Sequence, residues 1–305
     1  MRAGQVGSDL AEALIAEGHS VLGLTSAPDK PVPPGVERAR GALTPEGIEE
    51  LLDANGPLTA VVHLASVTAM TQSWEEPLRT FDLNGRAGVL LAYAVARRPG
   101  VRLVHASSAE LFGRAKAQVQ DEGTPIDPVS PYGVAKAAAH FAVRFVRQAH
   151  GAAASNLILY MTESPRRRPT FVLRKITRSV AAIACGDAEH IVLGNAEAVR
   201  DFSHARDVAA AAKLLALGAT AGDYVCASGQ GRSIRELAEA ACRIAGLDPA
   251  GRIRVDSTLL RTNDIPSLVG NAGALRRLGW SSPTSFEELL REVFEHDLRE
   301  YRAQR

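Results

Sequence analysis

The sequence predicts an α/β fold: a doubly wound parallel sheet with helices on both faces and a smaller C-terminal lobe. Two observations carry this. Segments with helical spacing alternate with short apolar extended runs through the first half of the chain, and that rhythm changes after Tyr160. Repeating βα units of this length require a parallel sheet covered on both sides. Right-handed crossovers then place a ligand crevice at the carboxyl ends of the strands. A length of 305 residues suits one main domain with a smaller lobe.

Gly7–Glu17 carries Leu10, Ala13, Leu14 and Ala16 at helical spacing, and Ser20–Leu24 reads as a short strand. Pro45–Ala54 is a helix with Thr44 as its N-cap. Leu58–Ala65 is a buried strand, Leu78–Ala96 one long helix, Val101–Ser107 a strand, Pro131–Ala149 a helix and Ala154–Tyr160 a further strand. Thr162–Pro169 is a basic, proline-bounded loop. Helix Phe171–Cys185 and strand-like Ile191–Leu193 follow it. Helices Asp207–Leu217 and Ser233–Ala245 flank strand Tyr224–Ala227. Leu259–Gly270 is an irregular loop, and Phe286–Tyr301 a final amphipathic helix. Residues 1–160 are expected to form the main domain. Residues 161–305 should form mainly the lobe, with segments returning to the main sheet.

Composition narrows the function. Hydrophobic residues make up 46% of the chain, enough for a sizeable core. Lys plus Arg (35) nearly balance Asp plus Glu (34), and no basic stripe interleaves with aromatics, which argues against a nucleic-acid partner. No apolar run approaches the ~18 residues of a membrane span. Met1 to Leu10 do not read as a signal peptide. Cys185, Cys226 and Cys242 lie far apart, as three buried, reduced thiols of a cytoplasmic protein would. The eight histidines are scattered, so no metal site is expected.

The strongest chemical signal is Ser108, Tyr132 and Lys136. Tyr132 and Lys136 are one helical turn apart in SPYGVAK and face the same side. An ammonium beside a phenol should lower its pKa and make it a usable base. Ser108 ends a strand at the ligand-bearing edge and can hydrogen-bond a substrate oxygen.

These residues, with GQVGSDLAEALIAEGHSVLGL, VVHLAS, FDLNGRAG, ASSAELFG, ESPRRRPTFVLRKITR, LGNAEAVRDFSHARD and LVGNAGALRRLGW, span almost the whole chain. The sequence resembles the extended short-chain dehydrogenase/reductases. Within them it resembles the GDP-mannose 4,6-dehydratases and the GDP-4-keto-6-deoxymannose reductases. The resemblance implies a Rossmann-like dinucleotide-binding domain over residues 1–160 and a nucleotide-sugar lobe over 161–305.

It also implies roles. Gly4 and Gly7 match the second and third glycines of the family's T-G-x-x-G-x-x-G loop, whose backbone approaches the cofactor pyrophosphate. Met1 stands where the first glycine would be, and the preceding strand is absent; a start placed upstream is the expected reason. Thr25-Ser26-Ala27 offers no acid for a ribose hydroxyl, which favours NADP, with NAD as the alternative. Ala42 replaces an aspartate that the family often places near the adenine. The implied cofactor contacts are Gly4, Gly7, Ala65, Asn84, Tyr132 and Lys136, with Asn84 ordering the site through a backbone contact. Ser108-Ala109-Glu110 matches the dehydratases' Thr-x-Glu, which makes Glu110 the candidate base for C5 of a 4-keto sugar. Catalysis thus falls to Ser108, Glu110, Tyr132 and Lys136.

The implied substrate contacts are Thr68, Glu163, Lys175, Arg200, Arg261 and Asp264, with Arg200 and Arg261 on the diphosphate. Met161-Thr162 stands where dehydratases carry Asn-His before Glu-Ser-Pro, and Thr262 replaces a usual proline. The expected activity is dehydration of a nucleotide sugar, with a GDP-linked one implied by the resemblance, to a 4-keto-6-deoxy product. A 4-keto reductase and a nucleotide-sugar-binding protein without turnover remain as alternatives. A homo-oligomer, dimer or tetramer, is expected.

Overall fold

The computed structural model describes residues 4–24, 32–39, 43–260 and 263–305. The chain opens with helix α1 (Gln5–Ala16), then β1 (Val21–Leu24) and β2 (Val36–Ala39), which pair in parallel. Helix α2 (Pro45–Ala54) starts where its sequence signals say. The Thr44 side chain accepts the Gly47 N–H at 3.2 Å, and Pro45 fills a position whose N–H has no intrahelical partner.

A parallel sheet follows in the order β3 (Ala60–His63), β4 (Arg102–Ser108), β5 (Ala154–Leu159) and β9 (Asp223–Cys226). Among the described residues no ladder joins this sheet to β1–β2. That free edge explains one difference from expectation: Ala60, Val61 and Val62 of β3 are only half-buried, and the strand is shorter than Leu58–Ala65.

The expected single helix Leu78–Ala96 is three pieces. After α3 (Met70–Glu75) come α4 (Pro77–Phe81), a π-helical turn over Asp82–Arg86, and α5 (Ala87–Ala96). Apolar spacing does not distinguish a π turn from the α-helix around it, and such single turns mark functional positions. Helix α6 (Pro131–His150) ends at Gly151, whose φ of 65° suits the left-handed cap that only glycine adopts cheaply.

Strand β6 (Met161–Glu163) leads into a loop and α7 (Val172–Ala184). Then come β7 (Ile191–Leu193), β8 (Val199–His204) and α8 (Ala205–Ala216), with β9 returning to the main sheet. The rest is β10 (Gly231–Ser233), α9 (Ile234–Ile244), β11 (Ile253–Val255), β12 (Ser267–Leu268), α10 (Gly273–Arg277) and α11 (Phe286–Ala303). Strands β2, β6, β8, β10, β11 and β12 were not expected, β12 falling inside the segment read as an irregular loop. All but β8 are short, and VRDFSH in β8 carries too few apolar residues to read as a strand.

Four cores hold these layers together, one of them packing Leu111 and Phe112 with Ile158, Val225 and Leu268. Val6 and Leu10 of α1 pack with Val208 and Leu215 of α8 on one face of the sheet. Ile48, Leu91, Val95, Val143 and Val146 cover the other from α2, α5 and α6. A separate core joins α7, α9 and α11 through Leu173, Ile176, Leu237, Leu290 and Val293. Cys226 and Cys242 are buried in these cores, but Cys185 is only half-buried, because it caps the exposed end of α7. No helix among the described residues is long and apolar enough to cross a membrane.

Candidate active site

Strand β4 delivers Ser108 to the carboxyl edge of the sheet, where a single 3-10 turn (Ala109–Leu111) redirects the chain. The Ser108 hydroxyl accepts the Glu110 N–H at 3.3 Å, and Glu110 stays half-buried. Helix α6 starts directly against this turn. Ser130 caps it by accepting the Gly133 N–H at 3.0 Å. A Cβ at position 133 would lie 2.8 Å from the Glu110 carbonyl oxygen, so only glycine permits this approach. The close packing brings Tyr132, one residue earlier, beside Ser108.

Tyr132 and Lys136 are both buried. Lys136 Nζ donates to the Ala106 carbonyl at 2.9 Å and lies 5.9 Å from the Tyr132 ring centroid. Burial lowers the Lys136 pKa to about 8. Burial also raises the Tyr132 pKa above its ordinary value; nearby Ser108 and Ser66 hydroxyls and Arg167 pull it down, and the Glu110 charge pushes it up. This corrects the expectation of an acidified phenol. Loss of water dominates, and the ammonium is directed at a backbone carbonyl.

The loop after β3 closes the site from the side. Val67 N–H donates to Asn84 Oδ1 and Asn84 Nδ2 donates to the Val67 carbonyl, both at 2.8 Å. Ser66 Oγ donates to the same Asn84 oxygen at 3.1 Å. Asn84 is fully buried in the π turn, while Ala65 and Thr68 stand exposed on either side of the clasped segment.

Next to this loop α1 begins at Gly4, with no side-chain cap and no acidic residue in its first turn. Among the described residues nothing lies within 4 Å of the space a Cβ on Gly4 would fill, and Gly7 packs against Leu64 just after β3. Unsatisfied N–H groups at an open helix N-terminus fit a pyrophosphate, so these residues suit a dinucleotide.

The model of the GDP-mannose 4,6 dehydratase family matches residues 2–293. The chain belongs to this family. It is 32% identical to GDP-mannose 4,6-dehydratase of Sinorhizobium fredii over 99% of this chain and 96% of that protein. It is 34% identical to GDP-mannose 4,6-dehydratase sdnI of Sordaria araneosa, but spans 59% of that relative's length. Among solved structures, UDP-glucose 4-epimerase of Thermus thermophilus in complex with NAD aligns with a TM-score of 0.83 at 28% identity, covering 97% of this chain and 96% of that one. The structure titled RMD from Pseudomonas aeruginosa, complexed with NADPH, shares the fold, with a TM-score of 0.80 at 24% identity over 97% of this chain and 96% of that one.

The outlying residues divide into groups. Arg200 is buried and paired with Asp264 at 3.0 Å, and Asn195 holds the other Asp264 oxygen at 2.8 Å. Two residues far apart in sequence are thus brought together. Lys175 is exposed on α7. Arg261 and Thr262, like Thr25–Lys30 and Ala42, lie outside the described residues.

Glu163 departs from its expected role. It is fully buried and neither carboxylate oxygen has a hydrogen bond, so it cannot touch a substrate as placed. Its strand pairs with β8, with Glu163 in register with His204, which draws the side chain inside. Thr162 offers no free polar edge either: its hydroxyl donates to the Tyr160 carbonyl, and its own carbonyl accepts from Gln5. Sequence reasoning passed over Ser66 and Arg167. The second stood in the basic run ESPRRRP, where its charge had no distinguishing feature.

Proposed function

We propose that this chain is a nicotinamide-dependent 4,6-dehydratase acting on a GDP-linked hexose, with NADP as cofactor. The observation that carries this reading is the convergence of Ser108, Tyr132 and Glu110 at one strand end, with Lys136 behind them, in a member of this family. The relatives are named for GDP-mannose, and structural neighbours hold NAD or NADPH.

Ser108 holds the substrate 4-oxygen while Tyr132 takes the 4-hydroxyl proton. Lys136, protonated below about pH 8, supplies positive charge near the phenolate that forms. A bound nicotinamide supplies a reversible store for the hydride that leaves C4 and ends on C6. The 4-keto group acidifies C5 and Glu110 removes that proton, the C6 hydroxyl takes the proton that Tyr132 received and departs as water, and a proton returns to C5 through Glu110 as the hydride reaches C6. Arg200 and Arg261 hold the diphosphate, Lys175, Asp264 and Thr68 lie along the sugar nucleotide, and Gly4, Gly7, Ala65 and Asn84 hold or order the cofactor side.

The test is incubation with GDP-mannose and NADP, with mass detection and solvent deuterium. Loss of one water, label at C5 and no net NADPH consumption are expected, and a Glu110→Gln variant should lose the label. Reduction of a 4-keto substrate with net NADPH loss and no label would replace this reading with a reductase.

A homo-oligomer is part of the proposal. Helices α5 and α6 expose Tyr93, Phe141 and Phe145, with the Tyr93 and Phe145 rings 6.3 Å apart, and a second copy of the chain would cover this face. Sedimentation at micromolar concentration checks it, and a monomer there would sink it.

A further inference from the structure

The loop between β6 and α7 is tied down at both ends. Gln5 of α1 donates to the Thr162 carbonyl at 2.6 Å and accepts from Ser164 Oγ at 2.8 Å. Arg166 pairs with Asp9 and Glu12 of the same helix. From the other side Arg174 of α7 donates to the Pro165 and Arg167 carbonyls, and Asp297 of α11 holds Arg174 in turn. Arg167 N–H closes the turn on the Ser164 carbonyl at 2.9 Å, which places the side chains at 163 and 167 together.

Within this rigid loop two charged groups face each other without hydrogen bonds. Arg167 Nε lies 3.6 Å from Glu163 Oε1, and Arg167 Nε and both Glu163 oxygens are buried and unsatisfied. The Arg167 guanidinium stacks on Phe171, 3.5 Å from the ring centroid. Its terminal nitrogens make no hydrogen bond among the described residues, and its charge acts on the Tyr132 phenol. A planar guanidinium fixed by a ring below and a carboxylate behind, with its fork free, is arranged for an oxygen-bearing ligand.

We infer that Glu163 is a positioning residue, whose ionised carboxylate holds Arg167 so that its free N–H groups engage a phosphate or carbonyl oxygen of a ligand bound next to Tyr132. This rests on the function proposed above, where the oxygen belongs to the dinucleotide or to the nucleotide sugar. The burial that leaves Glu163 without hydrogen bonds raises its pKa to about 7, so the hold on Arg167 should weaken as pH falls through neutrality. The charged groups that act on Glu163 are the guanidiniums of Arg167 and Arg174. His204 lies across the ladder, near Glu292, and burial holds it below the ordinary histidine pKa.

Calorimetry with NADP alone and with GDP-mannose alone, at pH 8 and pH 6, tests this. Arg167→Ala should weaken one of the two ligands by roughly tenfold or more, which identifies the source of the oxygen. Glu163→Gln should weaken the same ligand at pH 8, and the double variant should bind no worse than Arg167→Ala alone. Wild-type affinity should fall toward pH 6, with the fall absent in Arg167→Ala; this measurement needs no variant at Glu163. Normal binding by wild type with additive losses in the double variant, or with an indifferent Glu163→Gln, would overturn this inference and leave the proposed function standing. Wild type that binds neither ligand would sink both.

Discussion

Asn84 clasps the backbone of Val67 at both its N–H and its carbonyl, as a neighbouring strand would. The π turn makes this possible, because an α-helix through Asp82–Arg86 would rotate the amide away from the loop after β3. The clasp fixes Ser66, whose hydroxyl bears on Tyr132. Asn84→Ala should cost roughly 2–4 kcal/mol, for two hydrogen bonds and the backbone groups left unpaired, and should also slow turnover. Urea unfolding with parallel rate measurements checks both, and a variant as stable and active as wild type would remove the clasp from the site.

Tyr132→Phe should reduce kcat by about 10²–10⁴ while leaving ligand affinity close to wild type, since the ring still packs but carries no proton. More than about a tenth of wild-type kcat would show that another group performs the proton transfer.

Arg200 and Asp264 form a pair that ligand must share. Arg200→Ala should weaken nucleotide-sugar binding by roughly 1.5–3 kcal/mol, the value of a charge-assisted contact, and spare the dinucleotide. Arg261→Ala is expected to do the same. Calorimetry that finds equal losses for the two ligands would make these arginines structural.

Glu163 also sets a pH dependence of stability. Its folded pKa, about 7, lies above the ordinary 4.5, so the folded state keeps a proton the unfolded chain releases between these values. Stability therefore falls as pH rises from about 4.5 to about 7 and stays lower above it. Glu163→Gln has no such loss. Relative to wild type it should gain on the order of 3 kcal/mol between pH 5 and pH 8 in urea unfolding. A constant difference across that range would mean that the carboxylate is already charged at pH 5.

Much of this architecture was legible in the chain because its signals are local. Thr44 and Pro45 mark a helix start, and Ser130, Pro131 and Gly151 bracket another. The placement of Tyr132 and Lys136 one turn apart on a helix follows from spacing alone. Properties that depend on distant neighbours were hidden. The direction of the Tyr132 shift depends on burial and on where the Lys136 ammonium points. Glu163 reads as a surface acid until β6 is seen pairing with β8, a strand with too little apolar character to announce itself. Arg167 lies among three adjacent arginines, and only the packing of Phe171 and Glu163 against it sets it apart.

Arg174 and Asp297 are 123 positions apart, and one carries the hydrogen bonds that fix the Pro165 and Arg167 carbonyls while the other anchors it. During synthesis the arginine leaves the ribosome well before its anchor. A nascent chain can therefore finish the sheet that bears Tyr132, Lys136 and Ser108 while the 163–171 segment is held from α1 alone. The anchoring of Arg167 from the α11 side becomes one of the later events in maturation, so incomplete chains would hold a finished proton-transfer centre beside a loop fastened on one side only.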